Sequence, residues 1–410
     1  MMGRRVVISG MGAVSPYGAG TSALWEGLLS GASTVRNTSS LDAIGGLRCK
    51  VAALVPELDA RVIDRKKRRF MSSMSIYATL AALEAIAQSR LDADALARRS
   101  TGLCLGSTTG SPQELDAFYR QLVQDNTIEN TKSTFFFRIM NHSCAANVAQ
   151  ALGIRGRVIA PSAACATGAL AIGMGAEMIA AGLQDVVLCG GADEHHAATT
   201  AVFDIMQAAS ITHNDAPQET PRPFDRDRDG VVCSEGAGIF VLESLEHAQA
   251  RGAAILGEIM GFATLSSPGD LAHPDIETIG ACIADALASA KVNPDMVDYV
   301  NAHATGTIHG DLVESGAVER VVGAAVPTSS LKGHFGHAMA ASAALESIAC
   351  VRMLQEGKIL PTRNLRVPDP ACQHLNLPVK IMDCELNIVL KNSFALGGVN
   401  AALVIGRFAA

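Results

Sequence analysis

Short apolar runs closed by glycine alternate along this chain with longer alanine-rich segments, and that alternation predicts its layout. Buried strands are expected at residues 5–10 (RVVISG), 103–106, 158–160, 184–191, 236–243, 298–303, 388–394 and 400–406, with another opening near 255. Helices are expected at 21–29, 70–89, 141–152, 244–251, 276–290 and 311–322, after residue 165, and within KGHFGHAMAASAALESIACVRML (332–354). The helix after residue 165 is apolar all round (Ala169, Leu170, Ile172, Met174, Met178, Ile179), which calls for cover on every side. Strands alternating with helices make this an α/β chain in layers, with long helices buried between sheets. The pattern restarts near residue 253, so two halves are expected, 1–252 and 253–410, sharing one body without a residue-level repeat. The glycines of GMGAVSPYG (10–18) and of 190–191 read as turns that end strands. GMG also touches the dinucleotide fingerprint, but its third glycine and helix start are missing.

Composition narrows the classes. Of 410 residues, 49% are hydrophobic and 18% charged, enough to bury a large core. A net charge of −7 and only 4% aromatics argue against nucleic-acid binding. The ten cysteines are scattered and none has CxxC spacing, so neither a zinc site nor a dithiol motif is suggested. The chain opens MMGRR straight into a strand, with no apolar leader and no membrane-length stretch, so a cytoplasmic protein is expected. Against the acidic whole, DRKKRR (64–69) is a basic cluster, suited to a solvated helix start or to an acidic partner.

Residues 160–175 (APSAACATGALAIGMG) set Cys165 among small residues where a helix starts. There the positive end of the helix dipole favours the thiolate, although the same setting suits a small buried hydrophobe. Three other stretches carry residues without a packing purpose. NAHATGTIHGDLVE (301–314) holds His303, Thr305, Thr307, Asp311 and Glu314. LKGHFGHAMAASAALE (331–346) holds Lys332, His334 and His337. NSFALGGVN (392–400) is a glycine-rich turn able to present free N–H groups. A cysteine, two histidines and a lysine suit acyl transfer through a thioester, with N–H groups on a tetrahedral intermediate. A zinc site on His303, His309 and Asp311 has the wrong spacing and leaves Lys332 unexplained. Asp193-Glu194-His195-His196 would point its ligands apart, and PRPFDRDRDG (221–230) is a charged loop without calcium spacing. No metal is expected at these stretches. Phe135-Phe136-Phe137 reads as core or as the lining of an apolar channel.

In order and spacing, these four stretches resemble the motifs of the type I/II β-ketoacyl-acyl-carrier-protein synthases, condensing enzymes of the thiolase-like superfamily. SAACATG, NAHATGTIHGD, KGHFGH and NSFALGGVN carry the resemblance, with DRKKRRFM, PFDRDRDGVVCSEGAG and LESLEHAQARGA beside them. It implies a five-layered α-β-α-β-α fold of two similar halves and a homodimer, or the active half of a heterodimer with a chain-length factor. It implies that Cys165 carries an acyl chain and that malonyl-carrier protein is decarboxylated and condensed with it. His303 and His337 would stabilise the enolate, Lys332 and Glu346 would hold the network around them, and the N–H groups of Cys165 and Leu396 would form the oxyanion hole. Thr305 and Thr307 would meet the phosphopantetheine arm, Thr109 and Phe394 the substrate, and Arg65, Lys66 and Arg69 the acyl carrier protein. No cofactor is required by this reading, beyond the arm that arrives on the carrier; a monovalent cation near Asn301 and Glu346 is a further implication. The chain departs from the pattern at Ala395-Leu396, where the gating position is leucine, which loosens control over the order in which substrates arrive. It departs also at Ala304, Gly306 and the polar Thr109, which together point to a specialised polyketide or polyene chain. A thiolase would need a second cysteine in the C-terminal glycine-rich loop, and a non-catalytic chain-length factor would lack Cys165.

Overall fold

In the computed structural model, which describes residues 3–129 and 131–409, the first strand, Val6–Ser15 (β1), runs through the glycines expected to end it. Met1 and Met2, where the absence of a leader was read, lie outside the described residues. A Cβ on Gly12 would sit 1.8 Å from the Ala81 carbonyl oxygen. These glycines therefore let the alanine-rich helix Ser73–Ser89 (α1) lie directly on the strand.

The first half continues with Thr101–Gly106 (β2), Val158–Ile159 (β3), Thr167–Ala180 (α2), Val186–Asp193 (β4) and Gly236–Ser244 (β5). The second has Gly257–Ser266 (β6), Ile276–Ala290 (α3), Tyr299–Asn301 (β7), Ile308–Val321 (α4), Thr328–Ser329 (β8), Ala340–Glu356 (α5), Ile388–Phe394 (β9) and Val399–Gly406 (β10). The strands lie in the order β3-β2-β4-β5-β1, then β6-β10-β9-β7-β8. Each half has two parallel pairings at its outer end and two antiparallel ones towards the seam, so order and sense repeat. Only Val7↔Glu258 and Ile8↔Gly257 join β1 to β6.

Helices α2 and α5 pack on each other and on both halves of the sheet, α1 covers the first half outside, and α3 with α4 the second. This is the α-β-α-β-α layering, and it explains why α2 is apolar all round. Gly191, expected in a turn, lies inside β4, where a Cβ would meet the Ala340 oxygen at 2.1 Å; its absence admits the start of α5.

The expected helix over 332–354 is two helices, Lys332–Phe335 and α5, broken where Gly336 and Met339 take φ of 71° and 49°. A helix at Pro112–Asp125 went unread; its signal was Ser111, whose Oγ caps Glu114 N at 3.3 Å, with Pro112 in the first turn. Phe136 and Phe137 are 57% and 52% exposed, so neither is core, while Phe135 is half-buried against Phe118; none of the three lines the cavity described below. The charged loop at 221–230 is largely interior, with Arg222 on Asp225 at 2.8 Å and Arg228 on Asp369 at 2.5 Å. Among the described residues no helix is long and apolar enough to cross a membrane.

Candidate active site

The two central helices aim their N-terminal ends at one place. Cys165 lies on the single turn Ala164–Ala166 that leads into α2. Ala164 before it has φ of 44°, a left-handed conformation a non-glycine residue holds only when its surroundings enforce it. His337 lies in the break before α5, fixed by its N–H on Val232 O (2.8 Å) and by Ser234 N on its carbonyl (2.9 Å). His303 follows β7, where the Glu314 carboxylate accepts the His303 and Ala304 N–H groups at 2.8 and 2.7 Å. Cys165 Sγ and one ring nitrogen from each histidine all lie within 4.8 Å of one another. The imidazoles meet edge-to-face, with centroids 5.4 Å apart, and Phe394 packs 6.0 Å from His303.

Protonation differs from the sequence expectation at Cys165. Burial pushes its thiol up to about 12, against the pull of Lys332 and of the backbone N–H groups of Cys165 and Leu396. Burial thus favours the thiol, against the thiolate expected from the helix dipole. Burial also holds both imidazoles well below the ordinary histidine value, helped by the positive charges of Lys332 and Lys391. Ser342 Oγ accepts the Ala338 N–H at 2.7 Å and lies 2.8 Å from His337 Nδ1. The contact serves either tautomer, because the hydroxyl can donate to a bare Nδ1 or accept from Nδ1–H through its second lone pair; Nε2 is buried without a hydrogen-bond partner among the described residues.

Lys332 is fully buried and pairs with Glu346 Oε1 at 2.6 Å; Lys391, equally buried, faces Glu346 Oε2 at 2.8 Å. Neither Lys391 nor Ser342 was singled out from sequence. The signal for Lys391 was a lysine inside the apolar strand IVLKNSF.

A cavity of about 440 Å³ opens onto the site, lined by Cys165, His303, His337, Thr305, Thr307, Phe394 and Leu396 among others. Thr109 does not line it; it stands exposed on the loop after β2. Arg65, Lys66 and Arg69 are exposed at the one-turn helix Arg65–Arg68, capped by Asp64, and line no part of the cavity.

The metal readings are answered by existing partners. Asp193 holds Thr108 and the Ala340 N–H, Glu194 holds Ser111 and the Met74 N–H, and His195 holds Thr200. Asp311 accepts the Phe224 and Gly306 N–H groups, while His309 is exposed. Cys165, His303 and His337 are a donor set zinc can use, but the two ammonium groups acting on the imidazoles oppose a divalent ion there. The expected monovalent cation does not fit either, because both oxygens of Glu346 already face ammonium groups.

The sequence matches the beta-ketoacyl synthase N-terminal domain over residues 3–248 and the C-terminal domain over 256–366. The chain belongs to the β-ketoacyl synthase family. This synthase is 37% identical over 410 residues to nodulation protein E of Rhizobium leguminosarum bv. trifolii, covering 98% of this chain and 99% of that one. It is 34% identical over 413 residues to 3-oxoacyl-[acyl-carrier-protein] synthase 1 of Haemophilus influenzae, covering 99% of each. Its fold superposes on a crystal structure of a β-ketoacyl synthase from Burkholderia phymatum with a TM-score of 0.95 at 37% identity, over 99% of this chain and 100% of that one. The layered architecture of the synthase is thus the thiolase-like fold.

Proposed function

We propose that this synthase condenses malonyl-acyl-carrier protein with an acyl chain carried on Cys165, releasing carbon dioxide and a 3-oxoacyl-carrier protein. The observation that carries this reading is the convergence of Cys165 Sγ and the two imidazoles within 4.8 Å at the end of a 440 Å³ cavity. In the first half-reaction the Cys165 sulfur attacks the acyl thioester and its proton passes to neutral His303, then to the departing pantetheine sulfur. In the second, His337 Nε2–H and His303 donate to the malonyl thioester carbonyl, and carbon dioxide leaves as the enolate forms. The enolate attacks the acyl group on Cys165. Its oxyanion is received by the N–H groups of Cys165 and Leu396, which already approach the sulfur. One proton from solvent restores the Cys165 thiol. Thr305, Thr307 and Phe394 line the path of the phosphopantetheine arm. No bound cofactor enters these steps.

Mixing the enzyme with acyl-carrier protein should add one acyl mass to the wild type and none to Cys165→Ala by intact-mass spectrometry. An equal adduct on both would falsify the assignment.

The carrier is acidic in this reading and docks on Arg65, Lys66 and Arg69, a basic cluster on a chain of net charge −7. Reversing all three to Glu should weaken carrier binding about tenfold or more and flatten its salt dependence, read by titration at several ionic strengths. Unchanged affinity and salt slope would place docking elsewhere. Two copies pair in this reading, supported by the exposed edge strand β3 and the exposed Tyr119, Val123, Phe136 and Phe137. The ten cysteines, none in a disulfide, suit the reducing cytoplasm.

A further inference from the structure

We infer that Lys391 is a built-in counter-ion of the catalytic centre, so that this synthase works without a bound monovalent cation. Lys391 is fully buried on β9. Its Nζ faces Glu346 Oε2 at 2.8 Å and donates to the Asn392 carbonyl and to Ser393 Oγ (3.2 Å). A carboxylate, a carbonyl and a hydroxyl are the oxygen ligands a hard cation takes, and an ammonium group carries the same single charge with three directed hydrogens. Two of the Lys391 hydrogens serve the Asn392 carbonyl and Ser393 Oγ, and the ammonium group forms an ion pair with Glu346 Oε2.

Charge decides against an added ion. Lys332 holds the other oxygen of Glu346 at 2.6 Å, so one carboxylate already meets two cations. A third positive charge beside the same carboxylate would add like-charge repulsion from both ammonium groups. The side-chain oxygens of Asn301 and Asn392 are buried and unpartnered. Acceptors for a cation are therefore present, but both oxygens of Glu346 already face ammonium groups. Lys391 is thus a positioning residue: it holds Glu346, and Glu346 holds Lys332.

The test replaces potassium and sodium by tetramethylammonium at constant ionic strength. It reads the melting temperature and the rate at which iodoacetamide alkylates Cys165. Neither readout requires the condensation proposed above, so failure here is separable from failure of that reading. The wild type should keep its melting temperature unchanged and its alkylation rate within about twofold, because its cation is covalent. Lys391→Ser opens room beside Glu346; in tetramethylammonium its alkylation rate should change about tenfold and its melting temperature fall, and potassium chloride should restore both. A wild type that loses stability or changes reactivity without potassium and sodium overturns the inference. So does a Lys391→Ser protein indifferent to potassium. If Lys391→Ser does not fold in either medium, the wild-type measurement decides alone.

Discussion

His337→Ala should lower condensation turnover by about 10²–10⁴-fold, the loss expected when a positioned donor to a developing enolate is removed. The fold should survive, because His337 is anchored through its backbone, to Val232 and Ser234, and truncation leaves both bonds in place. Circular dichroism and steady-state release of the 3-oxoacyl product check the two halves of this expectation. Turnover within tenfold of the wild type, with the fold intact, would rule out the assigned role. The pH dependence follows from the same geometry. Both imidazoles sit well below 6.5 when folded, so they remain neutral through the physiological range. Their stabilising contribution is present above 6.5 and is lost as pH falls from there towards the depressed folded values. The acid limb of the wild-type rate should therefore lie well below pH 6.5. At the alkaline side the Cys165 thiol titrates only near 12, so its alkylation rate should climb through pH 8–10 without a plateau. A plateau near pH 7 would show a resting thiolate.

Glu346→Gln should destabilise the protein by about 3–5 kcal/mol, read by urea or thermal unfolding, because it removes the carboxylate that two buried ammonium groups face. Desolvated charge without a partner is the costly state, and the amide keeps the shape while deleting the charge. Removing one ammonium as well should recover part of the loss. Glu346→Gln combined with Lys391→Met should thus be more stable than Glu346→Gln alone, a non-additivity a double-mutant cycle measures directly. Strict additivity would mean the three side chains do not act as one charged unit.

Much of this site is legible in one dimension because each reactive group sits in a local motif whose neighbours place it. Cys165 is written among small residues before an apolar helix, and His337 beside the glycine that breaks the chain ahead of α5. Period and composition likewise expose α2 as a helix covered on all sides. Errors arise where a residue's role depends on what lies across a layer. Gly12 and Gly191 look like turns, yet serve the close approach of Ala81 and Ala340. Thr109, on the loop after β2, is exposed and is not among the residues that line the cavity.

By itself, the amino-acid sequence determined the α/β layering and the stretches that carry Cys165, His303, His337 and Lys332, because periodicity and motif spacing are properties of neighbouring residues. Only the tertiary structure decided the surroundings of these groups. The burial that favours a Cys165 thiol, the Ser342 contact of His337 Nδ1 and the Lys391 contact of Glu346 are set by desolvation and through-space partners. Glu346 and Lys391 stand on separate elements, α5 and β9, and only the packing of those elements brings the ammonium group to the carboxylate.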